Sequence, residues 1–181
     1  MDNFRRKALW ITRTGVLIAL LITLQWATAG TQAFAGQFIT GSCVNCVLAI
    51  AALLGGLWSG ILVAILSPFC AFLLGVGPAL LQIVPCIAVG NAVFVIALHF
   101  LRGTKAWCQA AGLMAAAVLK FATLYVAVVK VFIPLMGTAL AQKQVAMFTA
   151  MFSWPQLATA LIGGTVALLL LPVLKKAIKR I

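Results

Sequence analysis

The sequence predicts an all-α, polytopic membrane protein, a bundle of six transmembrane helices in a single domain over residues 1–181. Of its 181 residues, 65% are hydrophobic and only 8% are charged, which is more apolar surface than a soluble domain can bury. A crossing needs about 20 apolar residues, so the length leaves room for roughly six helices with short connections and no separate soluble domain.

Glycine, proline and basic residues divide the apolar sequence into separate runs. The second run is short for a crossing, and prolines within the third and near the start of the fourth should kink the helices and free backbone carbonyls. The last run has the clearest helix start, because Ser153 suits an N-cap and Pro155 suits the first turn. The predicted spans are 10–29, 43–55, 58–76, 80–101, 107–131 and 154–174.

Basic residues at the span ends predict the orientation, since flanking Lys and Arg are retained on the cytoplasmic side. With six crossings, Lys130 and Lys143 fall on one side and most other cations on the opposite side, so both termini are expected in the cytoplasm. The connections 30–42 and 132–152 then face outward and are candidates for a lid. The cytoplasmic group is Arg5, Arg6, Lys7, Arg102, Lys105, Lys175, Lys176, Lys179 and Arg180.

The most informative single residue is Lys120, which lies inside the apolar run 107–131 of a chain with one acidic residue. A cation in hydrocarbon costs several kcal/mol, so Lys120 is expected to face a protein cavity that receives a negative or strongly polar group. At about 100° per residue, Thr123 and Lys130 share its helix stripe. This stripe predicts a positive track, from the outer surface toward the middle, that suits a carboxylate.

Simpler roles exist for both cations of this stripe. Lys130 could extend its amino group to the outer headgroups. Lys120 could instead satisfy a backbone carbonyl freed near Pro68 or Pro85.

Strong polar amides are the other candidates for a binding site, because an unpaired amide in hydrocarbon costs several kcal/mol. Four of them map to the outward half of the predicted bundle, the same half as the stripe of Lys120, whereas Asn91 lies in the middle of the fourth span. Each could equally be a hydrogen-bonding strut between helices. The four outward amides are Gln37, Asn45, Gln82 and Gln156.

Other classes of function find less support. Cys43 and Cys46 at an outward helix start could serve a membrane thiol-disulfide oxidoreductase, because a helix N-terminus lowers a thiol pKa. One His and one acidic residue leave almost no ligands for a metal, and no phosphate-binding loop is present, so neither a cofactor nor an enzymatic activity is expected.

Two further classes concern the charge balance of the chain. The net charge of +12 sits at span ends and not along an exposed face, so nucleic-acid binding is not expected. A stand-alone secondary carrier stays open as an alternative, although the scarcity of carboxylates argues against ion coupling.

The basic residues 175–180 are explained as a topology anchor, with lipid binding as the other interpretation.

Five stretches carry a resemblance that covers nearly the whole chain. By these stretches and their order along the chain, the sequence resembles the substrate-binding S components of energy-coupling factor (ECF) transporters. The stretches are RTGVLIALL at 13–21, GQFITG at 36–41, IVPCIAVGN at 83–91, PQLATALIGG at 155–164 and LPVLK at 171–175.

The resemblance implies a subunit of the prokaryotic plasma membrane that captures a vitamin or related micronutrient at an outward site. It further implies a coupling membrane protein and two cytoplasmic ATPases as partners, with delivery by toppling in the membrane. In that family, small residues spaced four apart on the first span let the coupling protein approach closely. The matching positions are Gly15 and Ala19, with Thr23 one step further, and Gly stands where the family often has Ala.

Overall fold

A computed structural model describes residues 2–29, 34–76 and 80–178, and this part of the chain is helical, without strands. The helices are α1 (Asp2–Ala29), α2 (Phe34–Ile50), α3 (Leu57–Leu73), α4 (Val84–Leu101), α5 (Ala106–Leu124), α6 (Ile133–Met136), α7 (Gln142–Met151) and α8 (Trp154–Ile178). Two π-helical segments continue α2 and α5, namely Ala51–Gly55 and Tyr125–Phe132. Short 3₁₀ turns at Leu81–Ile83 and Gly137–Ala139 precede α4 and α7.

Five segments of the described chain are long and apolar enough to cross a membrane. The sixth long helix, α3, is apolar but has only 17 residues. The five are Asn3–Thr28, Gln37–Gly55, Leu81–Leu101, Ala106–Ala139 and Gln142–Ala177.

Helix α2 packs along α8, α4 packs between α3 and α5, and α5 also contacts α8. Helix α1 lies against α2 and α3, and the Thr14 and Ser59 hydroxyls form a buried hydrogen bond of 2.8 Å between α1 and α3. The interior contains two apolar clusters. The larger includes Leu48, Phe94 and Ala117, and the smaller includes Ile83 and Leu124.

The outward connection predicted over residues 30–42 is wrong for most of its length, because α2 begins at Phe34. Residues 30–33 of that prediction lie outside the described residues. The polar and glycine content that suggested a loop serves helix packing. The Thr40 hydroxyl donates to the Thr28 hydroxyl at 2.7 Å, and Gly41 lies against the Thr159 side chain. The second helix, predicted over 43–55, therefore extends from Phe34 to Gly55.

The second predicted connection, 132–152, also differs, since it contains α6 and α7. The fifth span matches its predicted extent closely, but it changes to a π-helix at Tyr125. A π-helix uses i→i+5 hydrogen bonds and more residues per turn than an α-helix. The periodicity that placed Lys120 and Lys130 on one stripe therefore does not hold beyond Tyr125.

Candidate functional site

Lys120 of α5 lies at the centre of a buried polar group. Only 2% of its surface is exposed. Its Nζ donates to Asn45 Oδ1 of α2 at 2.6 Å and to Asn91 Oδ1 of α4 at 2.7 Å. Since Asn45 and Asn91 are just as buried, this single amino group joins three helices through the interior of the bundle.

Two hydrogen bonds from its own amide nitrogen hold the side chain of Asn45 in place. Asn45 Nδ2 donates to Gly41 O within α2 at 2.9 Å and to Thr159 Oγ1 of α8 at 3.3 Å. On the other side, Lys120 Nζ lies 5.4 Å from the ring centroid of Phe94, which is close enough for a cation–π contact. The fixed amide turns its oxygen to Lys120, so α8 is part of the same polar group.

The polar group forms a layer between the two apolar clusters. On α5, Ala117 belongs to the larger cluster and Leu124 to the smaller one, and Lys120 lies about one turn from each. On α4, Phe94 of the larger cluster lies about one turn after Asn91, and Ile87, which packs against the smaller cluster, lies about one turn before it. Apolar side chains therefore pack on both sides of Lys120, so its hydrogen-bond partners largely determine the free energy of its burial.

Glycines at the helix crossings allow this close assembly. A Cβ atom on Gly163 of α8 would lie 2.2 Å from Ser42 O and 2.8 Å from Asn45 Cβ on α2. A Cβ atom on Gly90 of α4 would lie 2.5 Å from Leu124 on α5. Such small residues bring helix backbones together in membranes, and here they bring the amides within hydrogen-bonding reach of Lys120.

The charge of the site is not balanced within the protein. Both partners of Lys120 are neutral amide oxygens, and the only acidic residue of the chain is Asp2. A lysine ammonium has three donors, of which two are used here. The ammonium therefore has one donor without a hydrogen-bond partner among the described residues, and the predicted cavity beside it stays a prediction.

Two of the predicted amides meet at the end of the bundle that contains α7. The side-chain nitrogens of Gln37 on α2 and Gln156 on α8 both donate to Met151 O, at 2.9 and 3.1 Å. They tie the end of α7 to two long helices. They do not contact Lys120, and Gln82 is exposed to the exterior of the bundle.

Thr123 and Lys130 lie apart from the polar group of Lys120. The Thr123 hydroxyl donates to Leu119 O one turn earlier at 2.8 Å. Lys130 is exposed, and its Nζ lies 5.8 Å from the ring centroid of Tyr125. The structure thus brings together Lys120, Asn45 and Asn91, and it separates them from the rest of the predicted stripe.

The small residues of α1 face away from the bundle. Gly15, Ala19 and Thr23 are exposed, and a Cβ atom on Gly15 would meet no other atom within 4 Å. The Thr23 hydroxyl donates to Ala19 O at 2.9 Å, so its donor is satisfied within α1. This face is open to another helix.

Cys43 and Cys46 are half-buried free thiols one turn apart within α2, not at its start. The described residues contain no group of three or more His, Cys, Asp or Glu side chains that could hold a metal ion.

Sequence reasoning missed three residues that complete the site, namely Thr159, Phe94 and Gly163. Thr159 and Gly163 do lie one turn apart in the stretch 155–164, and this small-residue spacing is typical of close helix contacts. Phe94 carried no sequence signal, because an aromatic residue in an apolar span is ordinary.

The apolar helices define a multi-pass membrane protein with a buried polar group in its interior. The chain belongs to the family of ECF transporter substrate-specific components, whose family model matches residues 10–175. Members of this family are transporter subunits and not enzymes. No curated protein and no solved structure matches the chain significantly.

Proposed function

We propose that this protein captures a vitamin or related micronutrient outside a prokaryotic cell and delivers it across the plasma membrane with an ATP-driven coupling module. The observation that carries the proposal is the burial of Lys120 among neutral amides, without a carboxylate to balance its charge. Burial of a lysine is costly, and intramembrane cations mark substrate sites by default. A carboxylate-bearing ligand would supply the missing charge.

In the proposed complex, Lys120 binds the carboxylate through its remaining donor, while Asn45 and Asn91 fix the position of its amino group. A charge-assisted hydrogen bond of this kind is roughly twice as strong as a neutral one. The ligand reaches Lys120 from the end that contains α7, where Gln37 and Gln156 hold Met151. Access from this end would require these two hydrogen bonds to break and the smaller apolar cluster, which includes Leu124, Phe148 and Phe152, to separate.

The proposed topology has six crossings, with α3 as the shortest. Arg102, Lys105 and Lys175 lie at the opposite end of the bundle from Gln37 and Met151, and cations at one end indicate the cytoplasmic side. The ligand site then opens outward and both termini are cytoplasmic. The energy comes from a coupling membrane protein and two ATPases, because delivery requires the bound subunit to topple.

The proposal is tested by purification of the chain from cells followed by mass spectrometry of the small molecules that copurify with it. A stoichiometric carboxylate is expected. Uptake of that compound is then measured in vesicles that contain this chain alone, or this chain together with its coupling module and ATP. Net uptake by the chain alone would establish a self-sufficient carrier and overturn the proposal.

The exposed face of α1 is the proposed contact with the coupling protein. Replacing Ala19 with leucine would insert a bulky side chain where two helices must approach closely. We expect ligand occupancy to be unchanged and ATP-driven uptake to fall about tenfold, equivalent to roughly 1.4 kcal/mol of association energy.

The matched control for this contact is Ala122→Leu, the same change at an exposed position of α5. It should leave uptake near the wild-type rate. Equal losses in the two variants would show that α1 is not the specific contact.

A further inference from the structure

A cavity of about 390 Å³ lies where α4, α5 and α8 meet the π-helical end of α2. Leu53, Leu98 and Leu168 form part of its apolar wall, and Arg102 and Lys175 are its cationic residues. Its volume falls in the range of pockets that hold small molecules, about 300–1,000 Å³. It lies at the opposite end of the bundle from Met151 and is separate from the group around Lys120.

Most of the residues that line this cavity belong to helices that are in close contact. A Cβ atom on Gly112 of α5 would lie 2.4 Å from Leu101 O, so the two helices meet backbone to backbone beside the cavity. Lys175 lies one turn beyond Leu171 on α8, on the same side of that helix. Most of the cavity wall is therefore helical, and the connection between α4 and α5 contributes Arg102, Gly103 and Thr104.

The charge of the lining residues indicates which class of ligand the cavity binds. None of the residues that line the cavity is acidic, and Arg102 and Lys175 are exposed. The cavity thus joins a basic rim to leucine walls. This combination matches an anionic phospholipid, because its phosphate would contact the basic rim and its acyl chains would contact the leucine walls.

We propose that this cavity binds one anionic phospholipid, with the phosphate against Arg102 and Lys175 and an acyl chain along the leucine wall. Basic pockets between transmembrane helices on the cytoplasmic side bind anionic headgroups in this way. Arginine suits phosphate because its planar guanidinium donates two parallel hydrogen bonds.

The experiment is native mass spectrometry of the full chain in detergent, titrated with phosphatidylglycerol or with phosphatidylcholine of the same acyl chains. One phosphatidylglycerol should bind in preference to phosphatidylcholine. The double variant Arg102→Gln and Lys175→Gln should bind it about tenfold more weakly. Lys105→Gln with Lys176→Gln is the matched control, since it removes the same charge at the same end from residues outside the cavity.

Equal loss in the two double variants would show general attraction to basic charge and overturn the proposal. Equal binding of the two lipids by the wild-type chain would overturn it as well, and this result does not depend on how any variant folds. Inorganic phosphate is the remaining probe. If it displaces phosphatidylglycerol completely at millimolar concentration, the cavity is a site for free anions and not for lipid.

Discussion

Replacing Lys120 with methionine should lower occupancy by the copurifying ligand at least tenfold, about 1.4 kcal/mol, while the chain still folds in detergent. Methionine keeps the length of the side chain but has neither the charge nor the donors. The measurement is the molar ratio of ligand to protein by mass spectrometry. Size-exclusion chromatography and helical circular dichroism report folding of the same samples.

Two further variants separate ligand binding from structure. Lys120→Gln retains N–H donors for the Asn45 and Asn91 oxygens but has no charge, so it should fold like the wild type and still lose the ligand. Lys143→Met removes an exposed cation of α7 and should retain the ligand. Full occupancy in Lys120→Gln would assign Lys120 a purely structural role.

Lys120 could be identified from the sequence because the free-energy cost of a cation in an apolar span does not depend on which helices pack around it. A cation inside an apolar run needs an interaction partner. Because the chain has one acidic residue, that partner was not expected to be a carboxylate of the protein. The same reasoning selected Asn45 and Asn91, since any amide in a span needs a partner. Which amide pairs with which cation depends on helix packing, and no local pattern contains that information.

The predicted stripe failed beyond Tyr125 for a physical reason that the sequence did not show. An α-helical period was assumed through to Lys130, but the segment Tyr125–Phe132 is π-helical and rotates the later side chains. Its composition, rich in valine, is equally compatible with either helix.

The predicted outward loop before residue 43 failed because glycine was interpreted as a turn signal. In water, Gly41 would weaken a helix by about 1 kcal/mol relative to alanine. In this bundle it lies against Thr159 of α8, so the contact between helices offsets the loss. Glycine in a membrane helix therefore marks a crossing point as readily as a helix end.

Gly163 provides the strongest test of that packing. A methyl group there would lie 2.2 Å from Ser42 O, so Gly163→Ala should force α8 away from α2. Overpacking of this kind costs about 1–3 kcal/mol, and we expect a lower apparent melting temperature in detergent. Because the same methyl group would press on Asn45 Cβ, the variant should also shift the amide from Lys120 and reduce ligand occupancy.

The matched control for Gly163→Ala is Gly15→Ala, the same change at a helix position where no atom lies within 4 Å of the new methyl group. Alanine has the higher helix propensity, by about 1 kcal/mol in water, so this variant should melt no lower than the wild type and retain its ligand. A Gly163→Ala protein with wild-type stability and occupancy would show that α2 and α8 tolerate separation. The position of Asn45 would then depend on its hydrogen bonds to Lys120, Gly41 and Thr159 and not on the close contact of the two helices.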